Sequence, residues 1–113
     1  MKEWMLDEDD VIFSTEDPEG RSVHLTKTQW KHIGTSHVEV KVTVPQLRSI
    51  IQRPEIITEI SNRRSLAYTQ ITDINWYYNI YVKMDDTYQK GKISTAFKQG
   101  TLPRGGVIWT RKP

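Results

Sequence analysis

A chain of 113 residues has the length of one domain with a single core. With no cysteine, a disulfide framework, a thiolate metal site and a cysteine nucleophile are all excluded. The formal net charge of +2 conceals an uneven split: residues 1–19 carry eight acids against Lys2, a local net of −7, which leaves +9 on the remainder.

Residues 1–10 read as an acidic lead in which Trp4, Met5 and Leu6 can dock on an apolar surface. Acid rather than an apolar stretch follows Met1–Trp4, which argues against a signal peptide, and no apolar run is long enough to span a membrane. A cytoplasmic location is the expectation. Val11-Ile12-Phe13-Ser14 reads as a strand, and Asp17-Pro18-Glu19-Gly20 as a turn with proline at its second position and glycine closing it. Residues 22–25 return as the second strand of a hairpin, with His24 a strand histidine. The chain then runs into a helix. Thr26 and Gln29 form a capping box, Leu25 and Trp30 a hydrophobic staple, and Trp30, Ile33 and His37 share one face while His32 points elsewhere.

A second helix starts at Thr43, tolerates Pro45 in its first turn and ends before Arg53-Pro54; Leu47, Ile50 and Ile51 supply its buried stripe. From residue 55 the pattern turns to β. Strands are expected at 55–61, 64–71, 76–84 and 91–97, with a fifth at 107–111, joined by links too short for crossover helices. In the third, Trp76, Tyr78, Ile80, Val82 and Met84 alternate toward the helices, while Tyr77, Asn79, Tyr81 and Lys83 line an open polar face. In the fourth, Thr95 shares the face of Ile93 and Phe97. Residues 100–106 read as a flexible, weakly basic loop. The fold class that follows is α+β: an N-terminal hairpin and two helices packed on a four- to five-stranded antiparallel sheet, one domain over 11–113.

A basic domain of this size points to a polyanion, most simply RNA. Helices on one sheet face leave the other partly open, so that His32, the Asn62-Arg63-Arg64 region, Tyr68, Lys83 and Ser94-Thr95 can meet at one cleft. That set offers what metal-independent RNA cleavage requires: a base for the 2′-OH proton, an acid for the leaving 5′-oxygen and a cation for the phosphorane. Tyr77 and Tyr81 on the open face can stack on bases, and Arg63 and Lys83 can hold phosphates. No metal-ligand spacing lies within the basic part, so no metal or cofactor is expected.

Leu25-Thr26…Trp30…His32-Ile33…His37, Pro54-Glu55-Ile56, the Arg-led strand with Tyr68, the Tyr-rich third strand and Ile93-Ser94-Thr95-Ala96-Phe97 together resemble the barnase–EndoU–colicin E5/D–RelE-like superfamily of small nuclease toxins, particularly its phage-associated domains. The resemblance covers residues 22–97 and leaves the acidic hairpin region outside. It implies a helical pair followed by a four-stranded antiparallel sheet and metal-independent ribonuclease activity. On it, the helix-borne histidine falls on His32, the strand arginine on Arg64 and the hydroxyl pair on Ser94 and Thr95, with His37 and Tyr68 as further matches. An RNA substrate and, for a toxin, an antitoxin or immunity protein are the implied partners. The competing reading of the same residues is a non-catalytic module that holds RNA or an acidic protein on its basic sheet. The acidic lead itself admits two readings, a solubilising tail or a segment lying over the basic cleft in imitation of a phosphate backbone. The sequence leaves open which RNA is cut and which oligomer forms.

Overall fold

The computed structural model describes residues 11–36, 42–60 and 63–111; the acidic lead, His37 and Asn62 lie outside the described residues. The turn between β1 (Val11–Glu16) and β2 (Ser22–Thr26) forms as its residues dictate: the Gly20 N–H donates to the Asp17 carbonyl at 3.0 Å, and Gly20 takes φ +86°, where a side chain would strain. β2 continues directly into α1 (Lys27–Ser36), whose first turn is capped by the Thr26 hydroxyl accepting from the Gln29 N–H at 3.1 Å. The other half of the expected box is absent. The Gln29 amide instead donates to the carbonyl of Ser94, tying α1 to the sheet. The reciprocal box forms at α2 (Val44–Gln52), where Thr43 Oγ1 accepts from the Gln46 N–H at 3.2 Å and Gln46 Oε1 from the Thr43 N–H at 2.8 Å. Leu47, Ile50 and Ile51 are its buried stripe, as their spacing requires.

Five strands follow: β3 (Ile56–Ile60), β4 (Ser65–Asp73), β5 (Trp76–Met84), β6 (Lys90–Gln99) and β7 (Gly106–Thr110). They do not make a separate antiparallel sheet beside an N-terminal hairpin. All seven strands form one mixed sheet in the order β1-β2-β6-β5-β4-β3-β7, which corrects the four- to five-stranded antiparallel expectation. The hairpin joins through a parallel pairing of β2 with β6, Ser22 opposite Lys90 and His24 opposite Lys92. β7 adds at the far edge, antiparallel to β3. The physical reason is that alternation marks a residue's face but not its strand's neighbour. Short links fix partners locally only within the β1–β2 hairpin and within the run β3, β4, β5 and β6; they do not say how the hairpin meets that run or where β7 adds.

Both helices lie on one face. α1 packs on β2 and β6, while α2 touches β1, β4 and β5. Since β1 and β4 stand four strands apart, the sheet must curl around α2 to bring both against it. Val23, Leu25, Leu47, Ile57, Leu66, Ile80, Val82 and Ile93 are fully enclosed in this core. Among the described residues no helix is long and apolar enough to cross a membrane.

The curl also carries the β1–β2 turn onto the core, where Asp17 receives a hydrogen bond from the Tyr68 hydroxyl at 2.6 Å and an ion pair from Arg21 at 2.9 Å. Burial first, and then the bond to Asp17, push the Tyr68 phenol well above its usual value near pH 10. A phenol whose folded pKa is raised contributes stability that is fully present below the unfolded value and is lost as pH climbs through the folded one. Urea midpoints should therefore fall above about pH 10, and less steeply in Tyr68→Phe. Parallel decline of the two proteins across that range would refute the assignment.

Candidate functional site

The face of the sheet away from the helices is ordered in rows set by strand register. His24, Lys92, Lys83, Ser65 and Ile60 form one row across β2, β6, β5, β4 and β3. Thr95, Tyr81, Ala67 and Thr58 form the next, and Phe97, Asn79, Thr69 and Ile56 the third. One bulge decides which β6 side chains belong here. Tyr81 pairs with Thr95 but Val82 pairs with Ile93, so Ser94 is the extra residue. Its hydroxyl donates to the Tyr81 carbonyl at 3.1 Å. Ile93 consequently enters the core, while Thr95 and Phe97 face the other way. The shared Ile93, Thr95 and Phe97 face expected from strict alternation is thereby broken.

A cleft of about 400 Å³ opens over these rows, lined by Ile60, Arg63, Ser65, Tyr81, Ser94, Thr95, Phe97 and Arg104. The rings of Tyr81 and Phe97 meet edge to face, centroids 5.9 Å apart and planes at 80°. Burial pushes the Tyr81 phenol up, so it stays protonated at neutral pH. Thr95 Oγ1 is buried with no hydrogen-bond partner among the described residues. The Arg63 backbone is fixed by its own carbonyl, which accepts from Lys83 Nζ at 3.0 Å and from the Ser65 hydroxyl at 3.1 Å. Both arginines are exposed, and among the described residues neither guanidinium meets a carboxylate.

The segment 100–105 carries Arg104 into the cleft. It leaves the end of β6 and passes over the open face to reach β7 beside β3. Asn79 holds it from below, donating to the Thr101 carbonyl at 3.1 Å and to Gln99 Oε1 at 2.8 Å while accepting from Thr69 Oγ1 at 2.7 Å. At its other end Gly105 adopts φ +153° against the Glu59 carbonyl, where a Cβ would collide. Thr58, Ala67, Thr69 and Asn79 are therefore buried although they face away from the helices. This is a fixed strap, not the flexible loop its glycines suggest.

The structure divides the expected site residues. Ser94, Thr95, Arg63 and Tyr81 line the cleft, and Lys83 stands in the adjoining row. Tyr77 shares the face but lies at the far end of β5, opposite Gln99 and Ile71. His32 is exposed on α1 and does not line the cleft. Arg64 does not begin β4; it sits in the preceding turn at φ +50° with its guanidinium bound to Asp86. Tyr68 is fully buried on the helix face, bound to Asp17. His37 lies outside the described residues. Arg104 is the cleft residue that the sequence pattern does not mark at all, and the Pro103-Arg104-Gly105-Gly106 setting of a lone cation in a tight segment is the signal for it; Asn79 and Phe97 are marked by face and motif but given no role in the site. Among the described residues no three histidine or acidic side chains gather as a metal would need. Set against protein-family models, curated proteins and solved structures, the chain matches none of them.

Proposed function

We propose that this chain binds RNA at the open-face cleft. The observation that carries the reading is the coincidence, in one cleft, of two guanidiniums and a buried hydroxyl that have no carboxylate or hydrogen-bond partner among the described residues, and of an aromatic pair. Guanidiniums suit a phosphate because their planar forks match its oxygens. Thr95 Oγ1 supplies a further donor at the same place, and Tyr81 and Phe97 present the apolar surface on which a base packs. Lys83 and Lys92 extend positive charge along the neighbouring row. A mononucleotide unit is the scale of ligand that a cleft of this volume accepts.

Catalysis is the second reading, favoured by the hydroxyl pair Ser94 and Thr95 lying beside arginines, as in the ribonuclease resemblance. Tyr81, kept protonated, would serve as the acid for the leaving 5′-oxygen. Binding remains the better supported of the two because His32, the expected base, does not line the cleft.

One pair of assays tests both. Anisotropy of a labelled single-stranded RNA should give saturable binding whose log affinity falls with log salt by about 0.7 for each phosphate neutralised. Total RNA incubated with the protein in EDTA should stay intact under the binding reading. Fragments with 2′,3′-cyclic ends, lost in Tyr81→Phe, would establish the catalytic one. Absence of binding at low salt would remove both.

A further inference from the structure

We infer that the cleft receives one unpaired nucleotide and excludes duplex. The inference rests on the RNA reading above and names the substrate class of that same site. Its ground is the strap. Segment 100–105 crosses the open face in front of the sheet and is pinned at both ends, by Asn79 at Thr101 and by the close seat of Gly105 on Glu59. Asn79 is itself fully buried and makes three hydrogen bonds, so the Thr101 anchor is rigid. Arg104 immediately precedes Gly105 and lines the cleft together with Tyr81, Thr95 and Phe97.

A base reaching Tyr81 and Phe97 enters a cleft of which the strap, through Arg104, forms part of the wall. A single-stranded segment can turn one base inward and leave its phosphate between Arg63 and Arg104, with Thr95 Oγ1 as a further donor. A duplex keeps its bases stacked inside and offers only its outer phosphates, so it brings no base to Tyr81 and Phe97 in a cleft walled partly by the strap. It can enter only by extruding a nucleotide, at the expense of stacking and pairing. Simple charge attraction predicts the opposite order, since a duplex concentrates more phosphate per unit length than a single strand. A preference for the single strand thus isolates the contribution of the strap.

The full chain is titrated with a labelled unstructured RNA, with the same RNA annealed to its complement, and in competition with a nucleoside monophosphate and with inorganic phosphate. The single strand is expected to bind at least about 30-fold more tightly than the duplex, in keeping with the stacking and pairing lost on extrusion. The nucleoside monophosphate should compete at concentrations where inorganic phosphate does not. Duplex binding as tight as single strand, or equal competition by phosphate and the nucleotide, would overturn the inference while leaving RNA binding standing. Failure of every RNA to bind would overturn both.

Discussion

Asp17→Ala is expected to destabilise the protein by about 3–5 kcal/mol, the range for breaking a buried charge pair. Its carboxylate is enclosed, and four donors converge on it: the backbone N–H groups of Glu19 and Arg21 at 2.9 Å each, Arg21 Nη1 at 2.9 Å and the Tyr68 hydroxyl at 2.6 Å. Alanine takes the carboxylate acceptor from the Tyr68 hydroxyl inside the core and leaves the Arg21 guanidinium, among the acidic side chains described, with Glu19 alone at 3.1 Å. The hairpin turn also loses its internal ties. Against a total stability of about 5–15 kcal/mol, the loss would unfold a substantial fraction of molecules on warming. Asp17→Asn should cost less, since an amide oxygen can still accept from the turn. The Arg111–Glu55 pair at 3.7 Å, in which Arg111 is exposed and Glu55 half-buried, is the internal control, with Arg111→Ala expected to change stability by less than about 1 kcal/mol. Urea unfolding of the three variants reads these values directly. A loss below about 1 kcal/mol for Asp17→Ala would show that the cluster does not anchor the hairpin.

Arg63→Ala combined with Arg104→Ala should abolish most RNA affinity without lowering stability. Both side chains are exposed and neither supports the core. A charge-assisted bond to phosphate contributes about 1.5–3 kcal/mol, hence about tenfold or more in affinity for each arginine. If both address one phosphate their effects will not add, and the double variant will resemble the stronger single. The salt dependence decides: a slope reduced by about 0.7 means one shared phosphate, and twice that means two. Arg64→Ala and His32→Ala are the contrasting variants. The first removes a guanidinium already bound to Asp86 and the second a side chain that does not line the cleft, so neither should shift binding appreciably. Strong loss in Arg64→Ala with no loss in the double variant would place the RNA elsewhere on the molecule.

What the sequence discloses, and what it withholds, follows from the range of the interactions concerned. The second helix is legible at Thr43, Pro45, Leu47, Ile50 and Ile51 because capping and burial there depend on spacings of two to five residues. Alternation likewise sends Ile80, Val82 and Met84 inward. It fails at Asn79, which faces away from the helices yet is buried, because the strap that covers it comes from another part of the chain. Trp76 and Tyr78 lie on the helix side but extend toward the end of the sheet, where Lys98 covers their rings instead. Ser94 resists reading for a different reason. A bulge inserts one residue without altering composition, and so reverses the faces of its neighbours unannounced. Half of the cleft is visible in Arg63, Tyr81, Ser94 and Thr95. Arg104 is not, since its place depends on where the strap lands.

The parallel seam between β2 and β6 has a consequence for how the protein comes into being. The segments it joins are separated by nearly seventy residues, from Ser22 to Lys90. A ribosome adding about 5–20 residues per second takes several seconds to supply the second after the first. Through that interval Val23 and Leu25, both fully enclosed in the finished fold, have no β6 to lie beside, and β2 presents an unpaired edge. Helix formation at Thr26 can proceed early, being local, whereas closure of the sheet must await the arrival of β6. Folding is thus committed late, and the nascent hairpin spends its first seconds as a surface that chaperones or neighbouring chains can claim.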